Sequence, residues 1–129
     1  MTILSYQDLD VWKKSRLLVK EVYLATQDFP KTEIYALTQQ IQRAAISIPS
    51  NIAEGRCRSS KKEFTYHLRV ATGSLAELET QLILACDLQF LSREKLEELT
   101  HKTAEISRML NGLLRSLEPE TRNLEPVDA

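Results

Sequence analysis

Between Phe64 and Ala85, seven apolar residues recur at spacings of 4, 3, 4, 3, 4 and 3: Phe64, Leu68, Ala71, Leu75, Leu78, Leu82 and Ala85. A mean period of 3.5 residues makes a seam along one side of an α-helix that packs lengthwise against another helix. A β-strand, whose side chains change face at every residue, would scatter the same set over both faces. The pattern returns at Leu96, Leu99, Thr103, Ile106, Leu110, Leu113 and Leu117, with one polar interruption. A chain with two such seams must bury helix against helix.

The first half supplies the partners. Val11, Leu18, Val22, Ala25 and Phe29 fall at spacings of 7, 4, 3 and 4, and Leu9, Trp12, Val19 and Tyr23 form an adjacent stripe. The spacing predicts a helix from Asp8 to Asp28, with Asp8 as N-cap and Phe29-Pro30 as the stop, since proline disfavours a helical residue before it. A second helix is predicted to begin near Pro30 or Thr32. Its apolar face runs through Ile34, Leu37, Ile41, Ala44 or Ala45, Ile48 and Ile52, and Gly55 is the expected left-handed terminator. Pro49 falls inside this helix. A proline there removes one backbone donor and presses on the carbonyl four residues back, that of Ala45, so the helix is expected to bend.

The clearest start signal is Ser60-Lys61-Lys62-Glu63, which fits a capping box opening the third helix. Gly73, within that helix, suggests a close approach by another helix, from the same chain or a neighbour. Asp87-Leu88-Gln89-Phe90-Leu91 forms the third connection. Ser92 caps the fourth helix, with Leu91 and Leu96 at the positions of a hydrophobic staple. Four amphipathic helices with short connections predict an all-α, antiparallel up-down-up-down four-helix bundle, its second helix bent at Pro49. The bundle is assigned to residues 1–118. Residues 119–129, where Leu-Glu-Pro recurs and apolar residues are few, are assigned to a disordered tail.

The 129 residues, 43% hydrophobic and 27% charged, suit one globular domain. Met1–Asp10 lacks the basic start and apolar core of a signal peptide, and no apolar run reaches the ~20 residues of a membrane span. Cys57 and Cys86 have neither metal-site nor disulfide-framework spacing and fit a reducing cytoplasm. Chemistry finds little footing. Glu98 and His101 are the single Glu-x-x-His pair, expected on the exposed side of helix four, and two histidines do not complete a bundle di-metal site. Glu63 and His67 read as a solvated i, i+4 pair. Glu77 and Glu79 point to different faces. No catalytic residue, metal or cofactor is assigned.

The formal charge of −1 conceals a gradient: residues 1–39 are balanced, residues 40–74 carry +4 and residues 75–129 carry −5. The basic third contains Arg43, Arg56, Arg58, Lys61, Lys62 and Arg69, four of them within seven positions at the second connection. Such a cluster can bind phosphates, releasing counterions, or can be a solvated charged turn. Lys61 and Lys62 stand at a helix start, where the helix dipole disfavours cations.

Several stretches carry a family likeness: Leu37 to Ala45, Ser47-Ile48-Pro49-Ser50-Asn51-Ile52-Ala53-Glu54-Gly55, Glu63-Phe64, and Gly73-Ser74-Leu75-Ala76-Glu77-Leu78-Glu79-Thr80-Gln81-Leu82. With Leu9-Asp10-Val11-Trp12, they resemble the bacterial four-helix-bundle family whose founding members are encoded in intervening sequences of the large-subunit ribosomal RNA gene. The resemblance covers about residues 8–117. It implies a bundle that assembles as a homopentamer, similar to the accessory protein of diversity-generating retroelements, a basic pentameric barrel that binds nucleic acid and a reverse transcriptase. It implies no enzymatic activity. Ser47, Pro49, Ser50, Asn51, Glu54, Gly55, Ser74 and Glu79 are the family-like residues, none with a catalytic role. Gln42 stands where a second basic residue is common beside Arg43. The resulting expectation is a cytoplasmic, non-enzymatic oligomer associated with RNA, DNA or a ribonucleoprotein. The alternative is a structural or adaptor oligomer whose partner is another protein.

Overall fold

The computed structural model describes residues 5–118. A 3-10 turn at Tyr6–Asp8 leads into α1 (Asp10–Thr26), and a second at Lys31–Glu33 precedes α2 (Leu37–Cys57). Helices α3 (Lys61–Asp87) and α4 (Arg93–Ser116) complete the chain, and no strand occurs among the described residues. Each helix packs on its neighbours in sequence, and α4 closes the bundle against α1. The all-α four-helix architecture stands as the heptad seams require. The assigned tail lies outside the described residues.

The seams are the core. Leu68, Ala71, Leu75, Leu78, Leu82 and Ala85 of α3 are all buried, as are Leu99, Thr103, Ile106 and Leu110 of α4. They meet Val11, Leu18 and Val22 of α1 and Ile41, Ala44, Ala45, Ile48 and Ile52 of α2. The burial of each large aliphatic side chain contributes on the order of 1.5–3 kcal/mol, enough to outweigh weak local helix propensity. Ser15 is fully buried among them. Its hydroxyl donates to the Val11 carbonyl at 2.6 Å and so is not stranded.

Polar contacts show how the helices run past one another. Between α2 and α3, Ser47 pairs with Ser74 and Asn51 with His67. Between α1 and α4, Lys14 pairs with Glu105 and Glu21 with Lys102. In each case the partner number falls as the first number rises.

Several boundaries differ from the sequence reading. Asp8 does not cap α1. Its carboxylate accepts from the Ser5 backbone in a capping box around the first 3-10 turn, and Leu9 occupies the N-cap position without a side-chain bond. Helix α2 starts at Leu37, later than Pro30 or Thr32, because the 3-10 turn takes up the intervening chain. Ile34 therefore falls outside the helix and is exposed. Gly55 does not end α2. No glycine has a positive φ, and the helix continues to Cys57. Pro49 lies inside this uninterrupted helix.

Candidate nucleic-acid interface

The α2–α3 turn is short because the chain reverses over three residues. Arg58 leaves α2 in an extended conformation, and Ser60, also extended, caps α3 by accepting from the Glu63 backbone at 3.1 Å. The two helices are drawn together directly behind it. A Cβ on Gly55 would stand 2.6 Å from Cβ of His67 and 3.1 Å from Cδ1 of Phe64. The glycine permits close approach, a different use from the left-handed termination expected of it.

A polar ladder climbs the same interface. The Ser47 and Ser74 hydroxyls are 2.7 Å apart. The Asn51 amide donates to the Ser47 carbonyl at 2.9 Å and to its hydroxyl at 3.0 Å. The Asn51 side-chain oxygen can only accept, so His67 Nδ1 donates to it, at 3.1 Å. The other ring nitrogen stands 3.9 Å from a Glu54 carboxylate oxygen, which accepts from Arg58 at 2.7 Å. His67 is therefore not half of a solvated pair with Glu63. It turns onto α2 and is largely buried, its side chain 13% exposed, because Gly55 leaves room for it. The hydrogen bond and charge of Glu54 hold the Arg58 guanidinium above its ordinary pKa, so its positive charge is secure.

Most of the family-like residues have an interhelical role. Ser47, Asn51, Glu54 and Ser74 form the ladder, Gly55 allows contact, and Glu79 accepts from the buried Thr103 hydroxyl of α4 at 2.7 Å. Pro49 and Ser50 line a groove with Trp12 and Arg16 of α1. Gln42, at the position expected to be basic, donates to Thr26 of α1 at 3.1 Å.

The structure gathers some of the six basic residues and separates others. Lys61, Lys62 and Arg69 line one groove of α3 with Thr65, facing Leu114, Leu117 and Glu118. Lys62 also lines the adjoining concavity over the turn, with Arg58, Ser59, Ser60, Glu63, Tyr66 and His67. Lys62 thus joins Arg58 on one side to Lys61 and Arg69 on the other. Arg43 lies apart: fifteen residues before Arg58 on one helix is roughly 22 Å, and it shares its concavity with Gln39, Gln40 and Glu77. Arg56 is half-buried on the last turns of α2 and lines neither groove.

Tyr66 is the residue that sequence reasoning passed over. It falls between Phe64 and Leu68 of the α3 seam, and that phase was the available signal that it faces outward. Glu98 and His101 are both exposed on α4. Among the described residues, no group of three or more His, Cys, Asp or Glu side chains is placed to hold a metal ion. Nor is any helix among them long and apolar enough to cross a membrane.

Comparison with known proteins bears on the fold and the family. Among solved structures, a protein of unknown function from the S23 ribosomal protein family of Bacteroides thetaiotaomicron is similar. It is 24% identical with a TM-score of 0.76, over 81% of this chain and 95% of its own. At that identity the likeness supports the helical fold alone. Comparison with curated proteins gives no match. The profile of the family described as 23S rRNA-intervening sequence protein matches residues 7–112, which contain all the interhelical motif residues above. With that match extending over most of its length, the chain belongs to the 23S rRNA-intervening sequence protein family.

Proposed function

We propose that this protein is a non-enzymatic, self-associating binding module that contacts nucleic acid or a ribonucleoprotein through the basic surface at the α2–α3 turn. The observation that carries the reading is the placement of Lys62 in both grooves, which makes Arg58, Lys61, Lys62 and Arg69 one continuous surface. Four cations that track a phosphate backbone release counterions, and this favours binding without sequence preference. Membership of a family named for an intervening sequence of 23S rRNA agrees with a nucleic-acid setting. Free Cys57 and Cys86 fit a cytoplasmic location.

Self-association is supported by apolar side chains outside the core. Leu17 and Leu24 stand two turns apart on α1, and Ile83, Leu84 and Leu88 cluster at the end of α3, all about half-exposed. A five-fold ring is the assembly that the family resemblance implies, and it would bring five copies of the basic surface together. The same apolar side chains favour the second reading, an adaptor oligomer whose partner is another protein.

Salt separates the two readings. Binding of a labelled RNA or DNA should weaken steeply with salt, and each contacting cation replaced by alanine should reduce the log–log slope by about 0.7–0.9. Lys61→Ala with Lys62→Ala is the variant of choice. No binding to either polymer at low salt would refute the nucleic-acid reading. For the assembly, light scattering should give several times the chain mass of 14.8 kDa, and the monomer mass would refute the ring.

A further inference from the structure

We propose that the surface at the α2–α3 turn takes unpaired, single-stranded nucleic acid, with Tyr66 as a stacking platform for a base; this rests on the basic-surface reading above and specifies its ligand. Tyr66 is 62% exposed, on the first turns of α3. It lines the same concavity as Arg58 and Lys62, so an aromatic ring and two phosphate-seeking cations share one recess. The cations continue past Lys62 to Arg69, two helical turns further along α3.

The ring is also held in place. Its centroid lies 5.1 Å from that of His67, with the two planes at 78°. A near-perpendicular contact uses at most one face of Tyr66 and leaves the other open. His67 is itself anchored to Asn51 of α2, so the support beneath Tyr66 belongs to the interhelical ladder. This limits the motion that the ring loses when a base stacks on it.

Exposed aromatic rings among cations are the means by which proteins hold single strands: the bases stack and the backbone follows the charge. Bases within a duplex have their faces occupied by neighbouring pairs and are not available to such a ring. Glu63 in the same recess, and Glu54 bonded to Arg58, place carboxylates beside the cations. They oppose tight, purely electrostatic attachment of a duplex and increase the share of binding that must come from stacking.

The test uses the full chain, a fluorescein-labelled 20-nucleotide oligouridine and an RNA duplex of equal length, titrated over a series of salt concentrations. The single strand should bind tighter than the duplex. Tyr66→Ala should weaken it about tenfold or more while leaving the salt slope unchanged, because a stacking contact releases no counterion. Tyr66→Phe should bind like the parent, since it keeps the ring. Tyr35→Ala should also bind like the parent: Tyr35 is more exposed still, at 87%, but precedes α2 at the end away from Arg58. Equal affinity for the duplex, or a Tyr66→Ala loss under twofold, overturns the stacking proposal. The basic-surface reading then stands if Lys61→Ala with Lys62→Ala still lowers affinity. Binding of neither probe at low salt overturns both.

Discussion

Gly55 lies so close to His67 that a Cβ on the glycine would stand 2.6 Å from the histidine Cβ. No rotamer change relieves a clash between two Cβ atoms, because both are fixed by their backbones. Gly55→Ala must therefore push α2 from α3 at the turn. The overpacking cost of about 1–3 kcal/mol is offset by the ~1 kcal/mol that alanine gains in helix propensity, so the net loss should be up to about 2 kcal/mol in denaturant unfolding. Gly73 is the control. Among the described residues, nothing beyond the adjoining residues and the helix's own backbone lies within 4 Å of a Cβ there, so Gly73→Ala should stabilise by up to about 1 kcal/mol.

The Thr103–Glu79 contact joins α4 to α3. Thr103 is fully buried, and its hydroxyl donates a hydrogen bond to the half-buried carboxylate at 2.7 Å, with the Thr100 carbonyl a second acceptor at 3.0 Å. Thr103→Val keeps the shape but removes the donor, and should cost about 1–2 kcal/mol. Adding Glu79→Gln to Thr103→Val should recover part of the loss, because the neutral amide tolerates the missing donor better than a carboxylate. Equal stability of Thr103→Val and the parent would show that the bond contributes nothing net.

Pro49 lies within a continuous α2, where it gives no N–H to the Ala45 carbonyl. Pro49→Ala restores that bond. The bend expected of a proline at this position makes two outcomes testable: a crystal structure of the variant should show a different α2 axis, and light scattering a changed assembly mass, because the end of α2 sets the direction of the turn. An unchanged axis and an unchanged mass would leave the proline without this role.

The separation of Arg43 from the other cations has a direct consequence. Arg43→Ala should leave polyanion affinity and salt slope within error, whereas Lys62→Ala should lower both, since Lys62 lines the two basic grooves. Fluorescence anisotropy at several salt concentrations distinguishes them. Equal losses at the two positions would mean that the surface extends along α2 or is joined between subunits.

Residue spacing was a sound guide where the deciding contacts were local. Ser60 and Ser92 cap their helices by accepting from the Glu63 and Lys95 backbones, each within three residues. It misled where two local partners competed. Asp8 has the chemistry of an N-cap, but Ser5 engages it first in the preceding 3-10 turn. It was mute where the partner came from another helix. Spacing alone makes His67 and Glu63 read as a solvated pair on one helix, but the contacts of His67 are to Asn51 and Glu54, sixteen and thirteen residues away.

By itself the sequence determined four helices, the starts of α3 and α4 and most of the side chains in the core, because helical periodicity and capping are properties of a few consecutive residues. It also marked the motif Ser47, Asn51, Glu54, Gly55 and Ser74. Only the tertiary structure decided what those residues do. The alignment of α2 against α3 makes Gly55 a contact point instead of a helix end, turns His67 inward, leaves Tyr66 outside, and brings Arg58, Lys61, Lys62 and Arg69 together while leaving Arg43 behind. The register between two helices is set by the summed packing of both faces, and no single stretch of the chain contains that information.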